Sequence, residues 1–161
     1  MIRAIHPQTV GISAIATYEP PWLLGNDWFS EILSRKFVQH TGILSRHIST
    51  EDEVTTGVRA VESLQRETAC DLRDCAAVVF VCPSIVHEAA TREHLDGQSE
   101  WLQSTDRAAQ EFVRRAGIPA AQVFGINWGC SGYSKALSIV QRQILSTRRL
   151  REDQFVMVVT E

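Results

Sequence analysis

Three apolar runs constrain the fold of this chain most: "CAAVVFVCPS" from Cys75, "AAQVFGINW" from Ala120 and "DQFVMVVTE" from Asp153. Each has the length of a strand, and none alternates apolar with polar residues. An alternating strand leaves one face in water, whereas a continuous apolar one needs cover on both faces. Around these runs lie segments with helical spacing. "DWFSEILSRKFVQ" has Asn26 or Asp27 as its cap, and Thr41-Gly42 closes it. "TTGVRAVESLQRETA" starts at Thr55 or Thr56 and sets Val58, Val61 and Leu64 at helical spacing. "STDRAAQEFVRRAGI" is a third. Ser131 to Ser146 is a fourth, with Tyr133, Leu137, Val140 and Ile144 on one face. Residues 9–17, "TVGISAIAT", read as a further strand, and Pro20-Pro21 mark the loop after it. Buried strands alternating with helices imply an α/β fold, a layered and mostly parallel mixed sheet with helices on both faces.

With 161 residues, the chain can build one domain, 1–161, with a real core. A net charge of -3 argues against general nucleic-acid binding. No apolar run approaches the roughly 20 residues that span a bilayer. The N-terminal stretch has no long apolar core after Arg3, so the expectation is a cytoplasmic protein with reduced thiols. Residues 85–118 are the least regular and carry many charges. The basic cluster Arg142, Arg148, Arg149 and Arg151 closes the last helix, as a solvated helix end or a docking patch for an acidic partner. "FVMVVTE" ends on a buried strand, which fits either a tidy terminus or half of a larger unit.

The cysteines are Cys70, Cys75, Cys82 and Cys130, with no C-x-x-C pair, and the five histidines have no metal-ligand spacing. Cys70, Cys75 and Cys82 flank or end the first buried run and read as structural. Cys130 differs, because "INWGCSGYSKALSI" puts it at a strand-to-helix corner between Gly129 and Gly132. A helix N-terminus offers unpaired N–H groups and a partial positive charge. Those favour a thiolate and supply donors to an oxyanion forming on an attacked carbonyl. The corner suits covalent acyl transfer, with a small buried apolar residue as the bland alternative. The α/β-hydrolase elbow fits less well. It needs Gly two residues either side of its nucleophile, and Trp128 or Tyr133 stands in one of those places.

"NWGCSGYSKALSI" resembles the active-site segment of β-ketoacyl-acyl-carrier-protein synthase III and related condensing enzymes of the thiolase superfamily. "VGISAIATYEPPWLLGN" resembles that family's opening strand and loop. "FVQHTGILSRHIST" resembles its Thr-Gly-Ile and Arg-His-Ile stretch, and "AAVVFVCPS" the strand before the active-site segment. The resemblance implies a thiolase-like half-fold, with Cys130 accepting an acyl group from coenzyme A or acyl carrier protein and its backbone N–H in the oxyanion hole. A decarboxylating malonyl thioester would then attack, with no permanently bound cofactor and no metal. It implies a homodimer in which the strand before the nucleophile pairs across the two-fold axis. The family's second-half His and Asn have no counterpart here, so the C-terminal half is expected in cis or in trans. The family's coenzyme A-holding Trp and Arg correspond to Phe37 and His40, and His40 is cationic only when protonated. The segment Glu88–Asp106 is longer and more charged than in the simplest members, implying a non-standard acyl group. The alternative within the resemblance is a non-catalytic partner subunit of a heteromeric ketosynthase.

Overall fold

A computed structural model describes residues 10–29, 31, 34–82, 98–120, 122–147 and 149–160. Much of the long charged segment from Glu88 lies outside them, as does Arg148.

At the centre is β3, Cys75–Val81, whose seven residues are all buried. It pairs in parallel with β4, Gln122–Ile126, on one side and β5, Phe155–Thr160, on the other, giving the order β4-β3-β5. Side chains alternate across the strand, so its apolar run feeds two cores. Val78, Phe80 and Cys82 point into one, with Met157 and Val159 of β5. Ala77, Val79 and Val81 point into the other.

The first core is covered by α2, Glu53–Glu67, and α3, Gln98–Ala116. Phe80 stacks on Phe112 of α3, with ring centroids 4.8 Å apart. Gly57 of α2 lies against both rings, where an added Cβ would come within 3.0 Å of Phe80 and 3.2 Å of Phe112. On this side α3 crosses close to β4, because Gly125 has no Cβ to meet the Thr105 carbonyl. The opposite face is covered by α4, Gly132–Ile139, which continues as a wider π turn over Val140–Leu145. The sheet is therefore sandwiched between helical layers, as the apolar runs require.

Three sequence expectations change. Residues 10–17 form no strand: the segment is irregular, with Val10, Ile12 and Ile15 exposed, and no described strand pairs with it. The helix expected from Asn26 or Asp27 is a short 3-10 turn, Asn26–Phe29, followed by α1, Arg35–Thr41. Ser34 caps α1 by accepting from the Phe37 amide, and Gly42 ends it at a φ of 66°. The next helix starts before Thr55, because the Asp52 carboxylate accepts from the Thr55 amide at 2.6 Å and takes the cap position.

A small two-stranded antiparallel unit accompanies the main sheet: β1, Trp22–Gly25, pairs with β2, Ser45–Ile48. Asn26 ties it to the chain entering β2: its amide donates to the Leu44 carbonyl and its side-chain Nδ2 to the Ile43 carbonyl.

Candidate active site

The corner between β4 and α4 is built by two glycines with different tasks. Gly129 holds a φ of 50°, in the left-handed region that costs a residue with a Cβ about 1 kcal/mol or more. Gly132 is buried against Val81, and an added Cβ would collide with the Val81 Cγ1. Together with Ala136, Gly132 lets α4 approach the sheet until Ile139 and Ile144 fill the gap against Ala77, Val79 and Val81.

That close approach corrects the expected helix face. The buried positions are Gly132, Ala136, Ile139 and Ile144, whereas Tyr133 and Leu137 stay 47% and 41% exposed. The last spacing of five residues follows from the π turn, which carries Ile144 round to the sheet side. β4 is likewise half-buried along its length rather than fully buried, since only its β3 side is paired among the described residues.

Cys130 stands in the 3-10 turn Gly129–Ser131, and its side chain is exposed. Exposure removes the bland reading of a buried apolar residue. The turn is closed by the Ser131 amide donating to the Trp128 carbonyl at 3.2 Å and the Gly132 amide to the Gly129 carbonyl. The Cys130 amide precedes both, in the region where helix-terminal donors lack intrahelical partners. Neither Trp128 nor Ser131 contributes a side-chain capping hydrogen bond. The corner also lies beyond the carboxyl end of a parallel strand. The chain runs outward from β3 to β4 over one face, then returns across β3 to β5 over the other. Ligand sites of open α/β sheets gather at such reversals.

The other thiols sit differently. Cys75 and Cys82 are buried and Cys70 is half-buried. Burial pushes the Cys75 thiol up to about 11, so it stays protonated and unreactive at neutral pH.

Phe37 and His40 are both on the exposed side of α1, which excludes core packing for Phe37. The Nδ1 of His40 bonds back to the Lys36 carbonyl at 2.7 Å. The cation beside Phe37 is Arg46, whose guanidinium lies 5.5 Å from the Phe37 ring centroid and 5.3 Å from that of Phe29. Asn26 Oδ1 accepts from Arg46 Nη1 at 2.5 Å and holds it there. Arg46 was missed in the sequence because Arg-His-Ile was read only as part of the resembling stretch, without a partner for its guanidinium; its signal was Asn26 at the end of the preceding loop. Among the described residues no hydrogen bond, ion pair or ring contact joins Phe37 or His40 to the Cys130 corner. Lys135 was also missed: its Nζ sits 4.6 Å from the Trp128 ring centroid. In the basic cluster, Arg151 pairs with Asp153 at 3.0 Å and Asp74 at 3.7 Å.

No protein-family model matches the chain. Over 140 residues it is 26% identical to β-ketoacyl-[acyl-carrier-protein] synthase III 2 of Staphylococcus epidermidis, covering 84% of this chain and 38% of that protein. In structure it is similar to the β-ketoacyl-[acyl-carrier-protein] synthase III of Thermus thermophilus, with a TM-score of 0.62 and 23% identity, over 86% of this chain and 39% of that one. It is also similar to the priming β-ketosynthase of the R1128 polyketide biosynthetic pathway, with a TM-score of 0.53 and 22% identity, over 78% and 34% of the two chains. The fold is thus the thiolase-like α/β fold of these synthases, and the chain spans less than two fifths of the length of the relatives it matches.

Proposed function

We propose that this chain, similar over most of its length to β-ketoacyl-acyl-carrier-protein synthases III, carries the acyl-accepting part of a condensing acyltransferase, with Cys130 as its nucleophile. The observation that carries this reading is the exposed thiol on a tight turn at the head of α4, beyond the carboxyl end of a parallel strand. The Cys130 thiolate attacks the carbonyl carbon of an acyl thioester donated by coenzyme A or acyl carrier protein. The oxyanion that forms is met by the Cys130 N–H, and it collapses to expel the donor as its thiolate while the new S–C bond is kept. A malonyl thioester then loses carbon dioxide, and its carbanion attacks the acyl carbonyl. The carbon–carbon bond forms as the bond to Cys130 breaks, releasing a 3-oxoacyl product.

Residues 1–161 constitute one thiolase-like domain in this reading, and the family's His and Asn come from a further half, in cis or in trans. Coverage of only 38% of the Staphylococcus synthase supports it. A homodimer through the outer edge of β4 fits the strand's half-buried state. The exposed Phe37, with Arg46 against it, suits an adenine-bearing donor better than His40 does. The alternative, a non-catalytic partner subunit, gives no reason for the nucleophile turn to be kept open.

The test is acyl labelling. Incubation with a radiolabelled acetyl thioester should label the chain at Cys130, and Cys130→Ser should abolish the label while leaving the circular dichroism unchanged. A label that persists in Cys130→Ser overturns the assignment. The intact mass of the native polypeptide and its co-purifying partners separates the two placements of the remaining half.

A further inference from the structure

From Gly117 to Gln141 the chain has one charged side chain, Lys135. It sits in the first turns of α4, and its Nζ lies over the Trp128 ring, 4.6 Å from the centroid. Trp128 is the last residue before the nucleophile turn and is 57% exposed. The contact therefore joins residues on either side of Cys130 and closes the segment that holds it. Among the described residues Lys135 makes no ion pair. A cation held on an aromatic face without a carboxylate partner keeps its field available to an incoming anion. Tyr133 and Leu137 are exposed on the same short helix, beside the exposed Ser131 and Ser134.

Resting on the reading of Cys130 as nucleophile, we infer that Lys135, seated on Trp128, is a specificity residue that favours acyl donors bearing negative charge close to the thioester. The charge that meets this requirement is a carboxylate on the acyl group, because the phosphate of a pantetheine arm lies at its far end, away from the thioester.

Iodoacetate and iodoacetamide are nearly isosteric and differ in charge, and both alkylate a thiolate by displacing iodide as the S–C bond forms. The iodoacetate-to-iodoacetamide rate ratio at Cys130 should fall about two- to fivefold in Lys135→Met and be kept in Lys135→Arg. A purely structural role would slow both reagents alike and leave the ratio unchanged, which overturns the inference. If iodoacetamide does not label Cys130 faster than Cys70 in the native protein, the nucleophile reading itself fails, a separate outcome. A thioester pair then reads the acyl group: succinyl- against butyryl-N-acetylcysteamine. A preference for the succinyl thioester that disappears in Lys135→Met supports the inference, and no preference in the native protein overturns it.

Discussion

Residue chemistry at the corner depends on which side chains are absent as much as on the thiol. Gly132 faces a β-branched, buried Val81 that cannot swing aside. Gly132→Ala should destabilise the protein by about 1–3 kcal/mol, and Gly132→Ala with Val81→Ala should recover part of that loss. Equilibrium urea unfolding of the four variants checks it, and strict additivity would show that the two residues do not share this contact. The thiols form a second residue-level prediction. With iodoacetamide at pH 7 the native chain should modify Cys130 first, Cys70 more slowly, and Cys75 and Cys82 only on unfolding. Peptide mass mapping over time reads the order, and early modification of Cys75 would contradict its burial. The corner position of Cys130 was legible in the sequence because Gly-Cys-Ser-Gly falls between an apolar run and a helical pattern. Lys135 and Arg46 were not, because their roles depend on which ring each side chain reaches, and spacing along the chain does not report that.

At the scale of elements, α2 and α3 are fastened by Arg115. It donates to Glu111 at 2.7 Å on its own helix, and to Asp52 Oδ2 at 3.3 Å and the Thr55 hydroxyl at 3.1 Å at the head of α2. Arg114 and Arg115 hold the Glu111 carboxyl down at about 2. Burial works against the Asp52 carboxylate, but hydrogen bonds from Thr55 and the Arg115 charge outweigh it, and its value is lowered as well. A carboxyl lowered in the folded state contributes stability above its unfolded value and loses it as pH falls through the folded one. The contribution of Glu111 should therefore be full above about 4.5 and fade towards about 2. Arg115→Met should lower Tm by about 2–4 °C at pH 7, with the gap from the parent protein closing as pH falls through that window. Calorimetry at several pH values decides, and a gap that stays constant down to pH 2 would point to packing instead. The same scale shows where helix boundaries escaped the sequence. Asp52 takes the cap because its carboxylate accepts from the Thr55 amide at 2.6 Å, a local hydrogen bond that spacing alone did not rank above Thr55 or Thr56 as caps; Arg115 reinforces it from α3.

The whole molecule leaves much apolar surface in water. Trp22, Leu23, Trp28 and Leu44 are exposed in and beside the β1–β2 unit, as are Val10, Ile12 and Ile15 before it. Single exposed apolar side chains are ordinary, but a concentration of this kind marks a surface meant to be covered. The isolated chain should therefore self-associate in sedimentation velocity at tens of micromolar. Co-expression with a polypeptide corresponding to the remaining length of the synthases it resembles should give a defined complex. A monomer at high concentration that ignores such a polypeptide would count against the proposed division of the fold.

By itself the sequence determined the layered α/β architecture, because a run such as "AAVVFV" tolerates water on neither face and forces helices onto both. It also determined the location of the thiol, since glycine pairs at a strand-to-helix junction are a local signature. The tertiary structure alone decided the rest. Whether the stretch from Val10 to Thr17 becomes a strand depends on pairing with a sheet edge, and it pairs with none of the described strands. Which face of α4 is buried depends on how closely Gly132 and Ala136 let it approach Val81, which turned Tyr133 and Leu137 outward against their helical spacing. Periodicity assumes a uniform turn of about 3.6 residues; the π turn broke that assumption between Leu137 and Ile144, and contact with the sheet chose which residues are buried.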